Sequence, residues 1–176
     1  MRVMIAMLIG MKPGDHPEFF RFPAPEGRSR ESTIRLDAEG RFWHEGNLVE
    51  HPKLAQAMHG WVNRHPDDHR FILTNGYDWT YFTVEDAPYF VRSIRIEDDG
   101  RVQLVLSDAT EEAWDPAASR IGAGDALYTP VKAAAPHGPF EAKFTRFAQS
   151  QLAPVLSETA GGMGARIGGR VVRIGA

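Results

Sequence analysis

Two periods run through the hydrophobic positions of this chain, one near two and one between three and four. Ile34 and Leu36 alternate with polar residues, DAEG supplies a turn, and residues 41–45 return, which reads as a hairpin. His51–Pro52 then opens a helix, since proline suits the first helical position. Leu54, Met58, Trp61 and Val62 form one apolar stripe. The helix is predicted to run to about Arg64, because Pro66 disfavours helical geometry at His65. Residues 70–74 read as a strand, and Asn75–Gly76 as a turn. Residues 78–84 carry aromatics on both faces, Trp79 and Tyr81 against Phe82, which predicts a central strand covered on both sides. Asp86 to Pro88 is a turn, and residues 89–97 and 101–107 make a second hairpin around DDG. Residues 108–125 look irregular and 126–131 form a short strand. Phe140, Phe144, Phe147, Ala148 and Leu152 repeat at helical spacing, predicting a second helix over 139–153 that closes near Pro154. GGMGARIGG reads as a flexible connector into a tail, ARIGGRVVRI, of strand, Gly-Gly turn and strand.

The start of the chain is different. Residues 12–31 are rich in Pro, Gly and charge, and Pro23 and Pro25 keep them out of a helix. They read as an extended lead-in anchored by Phe19, Phe20 and Phe22. The apolar run at residues 3–9 is far short of the ~20 residues of a membrane-spanning helix. As a signal peptide it lacks a small-residue cleavage site, since Met11, Lys12 and Pro13 follow. An extra strand, a mobile tail, or a natural start at Met11 are the other readings. The fold class is therefore α+β, mostly antiparallel sheets with two helices. The expected division is 1–31 lead-in, 32–88 a first sheet-plus-helix half, and 89–176 a second. An internal echo, IRLDAEGRFW at 34–43 against IRIEDDGRVQ at 94–103, has two readings. One is a repeated hairpin-and-helix motif; the other is two hairpins sharing the same acidic-Gly turn chemistry.

Composition narrows the classes. At 176 residues, 43% hydrophobic and 24% charged, the chain is long enough to bury a core without staples. It has no cysteine, which excludes disulfides, thiolate metal sites and cysteine nucleophiles. That fits a reducing compartment, and a cytoplasmic protein is expected. The net charge of −3 gives no field for steering nucleic acid, and residues 74–91 contain no Lys or Arg among their aromatics. No nucleic-acid and no membrane partner is expected.

No catalytic motif stands out, and no cofactor or metal is implied. The seven histidines include His65 and His69 four apart, but Pro66, Asp67 and Asp68 between them favour a turn. Gly161 to Gly169 fails the GxGxxG pattern at Ile167 and follows a helix, the reverse of a phosphate loop. Glu85 and Asp86 are adjacent and point to opposite faces at a strand end. Asp86 reads as a turn-former; Glu85 either does the same or points into a pocket with Asp78 or His44. The aromatics Trp43, Trp79, Tyr81 and Tyr89 either line a groove or are core. Trp79, if buried, needs a partner for its indole N–H, which Asp78 or Asn75 could supply. The candidate binding residues are thus Trp43, His44, Asn75, Asp78, Trp79, Tyr81 and Glu85, with no catalytic residue assigned.

From Ile34 to Pro88 the chain resembles the bacterial domain of unknown function 1285 family. The features are DAEGRFWHEG, a helix, FILT, and a strand ending in VEDAPYF. TNGYDWTYF departs from the pattern, standing in place of a TPVEK-like turn and a less aromatic strand. The resemblance implies a mixed α+β fold of repeated sheet-and-helix motifs and suggests a signalling-type role. It implies no catalytic residues. Three functions are carried forward. The first is a non-catalytic binding or regulatory module for a small molecule or protein. The second is an enzyme with a dispersed site at His44, Asp78 and Glu85. The third is a homo-oligomer whose aromatics form the interface.

Overall fold

Asp37 closes the first hairpin. Its Oδ1 accepts the backbone N–H of Glu39 and Arg41 at 3.1 and 2.9 Å, and its Oδ2 accepts Arg41 Nε and Trp43 Nε1, each at 2.8 Å. Gly40 takes φ +81°, where a side chain is strained. In the computed structural model, which describes residues 11–175, this turn joins β1 (Arg35–Leu36) to β2 (Phe42–His44). A short β3 (Asn47–Leu48) follows. The apolar run at residues 3–9, read as a leader, a strand or a tail, lies outside the described residues. The lead-in carries two 3-10 turns, Pro13–Asp15 and Pro17–Arg21. Phe20 is its buried anchor with Phe19 packed beside it, whereas Phe22 is exposed.

Helix α1 (Pro52–Gly60) starts as expected, with His51 Nδ1 accepting the Leu54 N–H at 3.3 Å. It stops four residues earlier than predicted. Val62–Arg64 is β4, paired with β5 (Phe71–Thr74) through Val62 opposite Leu73. Gly60 and β-branched Val62 weaken the last helical turn, and the β5 edge takes up the freed backbone. The predicted central strand at 78–84 is also corrected. It splits into β6 (Trp79–Tyr81), which pairs with β5, and β7 (Thr83–Val84), which runs parallel to β1. Each piece sits at the edge of its sheet, in the orders β4-β5-β6 and β3-β2-β1-β7. Phe82 is the pivot: its N–H reaches Phe71 O while its ring packs on Phe42 and Phe71.

The central strand is β8 (Tyr89–Ile96), antiparallel to β9 (Val102–Leu106) and parallel to β13 (Phe140–Phe144). Phe140–Phe144 was expected to open the second helix. Phe140, Ala142 and Phe144 are instead buried on one side of a strand, leaving α2 (Arg146–Gln151) only six residues, capped by Thr145. The irregular stretch holds β10 (Glu111–Ala113) and β11 (Arg120–Ile121), and β12 (Leu127–Val131) follows. These complete a six-stranded sheet in the order β10-β9-β8-β13-β12-β11. The glycine-rich connector is itself a strand, β15 (Gly162–Ile167), between β14 (Leu156–Thr159) and β16 (Arg170–Arg173). No strand ladder crosses residue 88 among the described residues, yet one buried core joins Leu36, Phe42 and Leu73 to Phe90, Leu104, Phe144 and Ile174. The two echoing hairpins share their turn: Gly40 N–H bonds Asp37 O as Gly100 N–H bonds Glu97 O, with both glycines near φ +80°.

Candidate functional site

The 74–78 turn is built by short side-chain bonds. Asn75 Oδ1 accepts the N–H groups of Tyr77 and Asp78 at 2.9 Å, and Thr74 Oγ1 donates to Asp78 O at 3.0 Å. This local chemistry follows from Asn and Thr at turn positions. It holds Asn75 and Asp78 at the rim of a cavity of about 310 Å³. The walls come from three segments far apart in sequence. The first hairpin gives Ile34, His44 and Val49; α1 and its C-cap give Leu54, Met58 and Trp61; the β5–β6 pair gives Leu73 and Thr80. The interior is apolar, and the polar groups sit at the rim, as in small-molecule sites. A cleft of about 590 Å³ adjoins it, sharing Trp61 and Asn75 and lined by Lys12, Asn63, Thr74 and His137. A larger groove of about 700 Å³, by Lys143 and Arg146, mixes apolar side chains such as Phe90, Phe144 and Leu156 with exposed polar ones such as Glu39, Asp125 and Ser150.

Of the predicted residues, His44, Asn75, Asp78 and Trp79 border this cavity. Strand alternation puts Thr80 and Leu73 on the cavity side and the Trp79 ring on the other face of the sheet. There Trp79 packs on Phe20, His65 and Tyr81, with the Arg30 guanidinium 4.5 Å above it. Neither Asp78 nor Asn75 partners its indole; Trp79 Nε1 is buried without a hydrogen bond. Asp78 Oδ1 instead accepts Arg30 Nη1 at 2.7 Å and the Trp79 backbone N–H at 2.9 Å. Burial pushes its carboxyl up, and the bonds from Arg30 and Trp79 N–H outweigh that, holding it below the usual range. His44 is exposed and makes no side-chain hydrogen bond among the described residues.

Trp43, Tyr81 and Glu85 lie elsewhere. Trp43 stacks under Arg35 at 4.7 Å on the outer face of the hairpin, and Glu85 pairs with that same Arg35 at 2.5 Å. Tyr81 donates to Asp68 Oδ2 at 2.8 Å under Arg70, and burial together with the Asp68 carboxylate pushes its hydroxyl up to about 12. Asp86 is more than a turn-former: it accepts Tyr128 Oη at 3.0 Å and Lys143 Nζ at 2.6 Å. His65 Nε2 meets Phe20 O at 3.0 Å, while His69 sits in a turn at φ +60°. The apolar wall was not anticipated as a site. Leu54, Met58 and Trp61 showed only as a helix stripe, and nothing local signals that a hairpin and a second sheet enclose them.

The cavity can hold an apolar body and offer polar contacts at one end. Its acid is already committed to Arg30, and no nucleophile and base converge on its interior among the described residues.

No protein-family model and no curated protein matches the chain. Solved structures do. A DUF1285 family protein from Silicibacter pomeroyi DSS-3 superposes with a TM-score of 0.64 over 88% of this chain and 91% of its own, at 15% identity. Another, from Shewanella baltica OS155, has a TM-score of 0.52 over 67% of this chain and 87% of its own, at 19% identity. The chain therefore has the fold of these DUF1285 family proteins.

Proposed function

We propose that the chain is a non-catalytic binding module, of a regulatory kind, whose apolar cavity takes a small and largely apolar ligand with one polar end. The observation that carries this reading is the cavity itself. Ile34, Val49, Leu54, Met58, Trp61 and Leu73 enclose about 310 Å³, and His44, Asn75, Asp78 and Thr80 rim it. The rim is pre-organised by its own hydrogen bonds, so little ordering cost falls on binding. Trp61 in the wall makes occupancy visible by fluorescence.

The test is titration with N-phenyl-1-naphthylamine, a neutral apolar dye, alongside native mass spectrometry of the purified protein. Saturable dye fluorescence at one site is expected, together with quenching of tryptophan emission. Leu54→Trp should fill the mouth without touching the core, because Leu54 is 44% exposed. It is expected to abolish dye binding at an unchanged melting temperature. Equal dye binding by that variant would remove the cavity from the account. A ligand-free dimer in native mass spectrometry would favour the oligomer reading instead.

A further inference from the structure

We propose that a second cavity, between α1 and the β8–β9 hairpin, is a binding site for a small organic carboxylate held by Arg92. The cavity encloses about 330 Å³, and Ala55, Gln56 and His59 line it from the helix while Arg92, Val105 and Ser107 line it from the hairpin. The backbone makes a special provision for Arg92. Val91 pairs with Leu106 and Ser93 with Val105, so Arg92 is the unpaired residue of a β-bulge. Bulges re-aim one side chain out of the ladder, and here the guanidinium is turned onto α1. Its Nη2 donates to Gly40 O at 2.9 Å and stands 3.4 Å from His59 Nε2. No carboxylate pairs with it among the described residues. The nearest acids are engaged elsewhere, Asp37 by Arg41 and Trp43, and Asp108 by Lys132 at 2.7 Å. Part of Arg92 is exposed, and burial of the rest pushes its proton affinity down, which leaves a positive charge open to an incoming anion.

His59 lines the same cavity from α1. It is 2% exposed, and its Nδ1 has no hydrogen-bond partner. Its Nε2 lies 3.3 Å from Gly40 O and 3.4 Å from Arg92 Nη2, so the ring proton sits on Nε2 when it donates to the carbonyl and on Nδ1 when it accepts from the guanidinium. Ser107 adds a second donor beside Arg92: its Oγ accepts the Phe90 N–H at 3.1 Å, leaving the hydroxyl hydrogen unassigned. The cavity thus offers donors and a single positive charge, with aliphatic walls at Ala55 and Val105. One guanidinium matches a carboxylate monoanion in bidentate geometry, whereas a phosphate dianion would ask for more charge.

The test is an amide-resolved NMR titration of the full chain with butyrate, with butylamine and inorganic phosphate as comparisons. Butyrate is expected to give saturable shifts at Ala55, Gln56, His59 and Ser107. Arg92→Gln should weaken it by about tenfold or more, the loss of one charge-assisted pair. Gln56→Glu puts a like charge at the mouth from an exposed helix position and should weaken it comparably without disturbing the fold. Butyrate affinity unchanged in Gln56→Glu, or butylamine or phosphate shifting the same amides as strongly, would overturn the proposal.

Discussion

Acidification should destabilise this protein through one residue. His59 is buried between Phe42 and Phe90, and burial, with the Arg92 charge beside it, pushes its imidazole down from 6.5 to about 4. The unfolded chain therefore binds a proton that the folded chain refuses throughout that window. Stability from this group is complete above about pH 6.5, falls as the pH drops toward 4, and levels off below. The full interval of about 2.5 units corresponds to about 3 kcal/mol, and at pH 5 about 2 kcal/mol of it is already lost. Against a total of about 5–15 kcal/mol, that is a large share. The carboxylates held below their usual range, Asp37 and Asp108 among them, lose their contributions only under about pH 4. The assay is urea denaturation at pH 7, 6 and 5 of the natural chain and of His59→Gln, which cannot titrate. The natural chain should lose about 2 kcal/mol more than the variant between pH 7 and pH 5. Parallel pH profiles for the two proteins would refute the argument, whatever their absolute stabilities.

Other expectations are simpler. Gly40→Ala meets both φ +81° and a Cβ placed 2.8 Å from the Phe90 ring, so it should cost about 2–4 kcal/mol. Gly46→Ala, at φ +79° with nothing within 4 Å, should cost only about 1 kcal/mol, and thermal denaturation of the pair separates clash from strain. Leu152→Ala, at a fully buried position, should lose about 2–5 kcal/mol in urea, whereas Phe147→Ser, 62% exposed, should change stability by under about 0.5 kcal/mol. Equal losses at the two positions would restore the continuous helical stripe that the periodicity predicts.

What could be read from the chain divides by range of interaction. The two acidic-Gly hairpins and the Asn75 turn were legible because a side chain bonding its own backbone needs no distant partner. Phe140 to Phe144 was not. Its apolar residues are four apart, a helical spacing, yet Ala142 between them also completes an alternating strand. The choice is made by β8, which offers Tyr89 opposite Ala142 from a remote part of the chain. Residues 78–84 misled in the same way: aromatics on both faces suggested burial in one sheet, but the chain turns at Phe82 and serves two sheets in succession. The candidate site was half legible. Polar residues at turns and strand ends, His44, Asn75 and Asp78, were identifiable by type. The enclosing wall needed the juxtaposition of a hairpin, a helix and a second sheet, which no local pattern encodes.

The two parallel pairings have a consequence for how the chain is made. Arg35 is matched with Thr83, and Tyr89 with Ala142, so each ladder closes only after a long intervening stretch has been threaded. Such distant pairings raise contact order and slow folding. During synthesis β1 keeps an open edge until residues 83–84 have left the ribosome, and β8 keeps one until residues 142–144 have done so. The intervals in which these edges are bare are when the nascent chain is most exposed to wrong strand partners and most dependent on a holding chaperone.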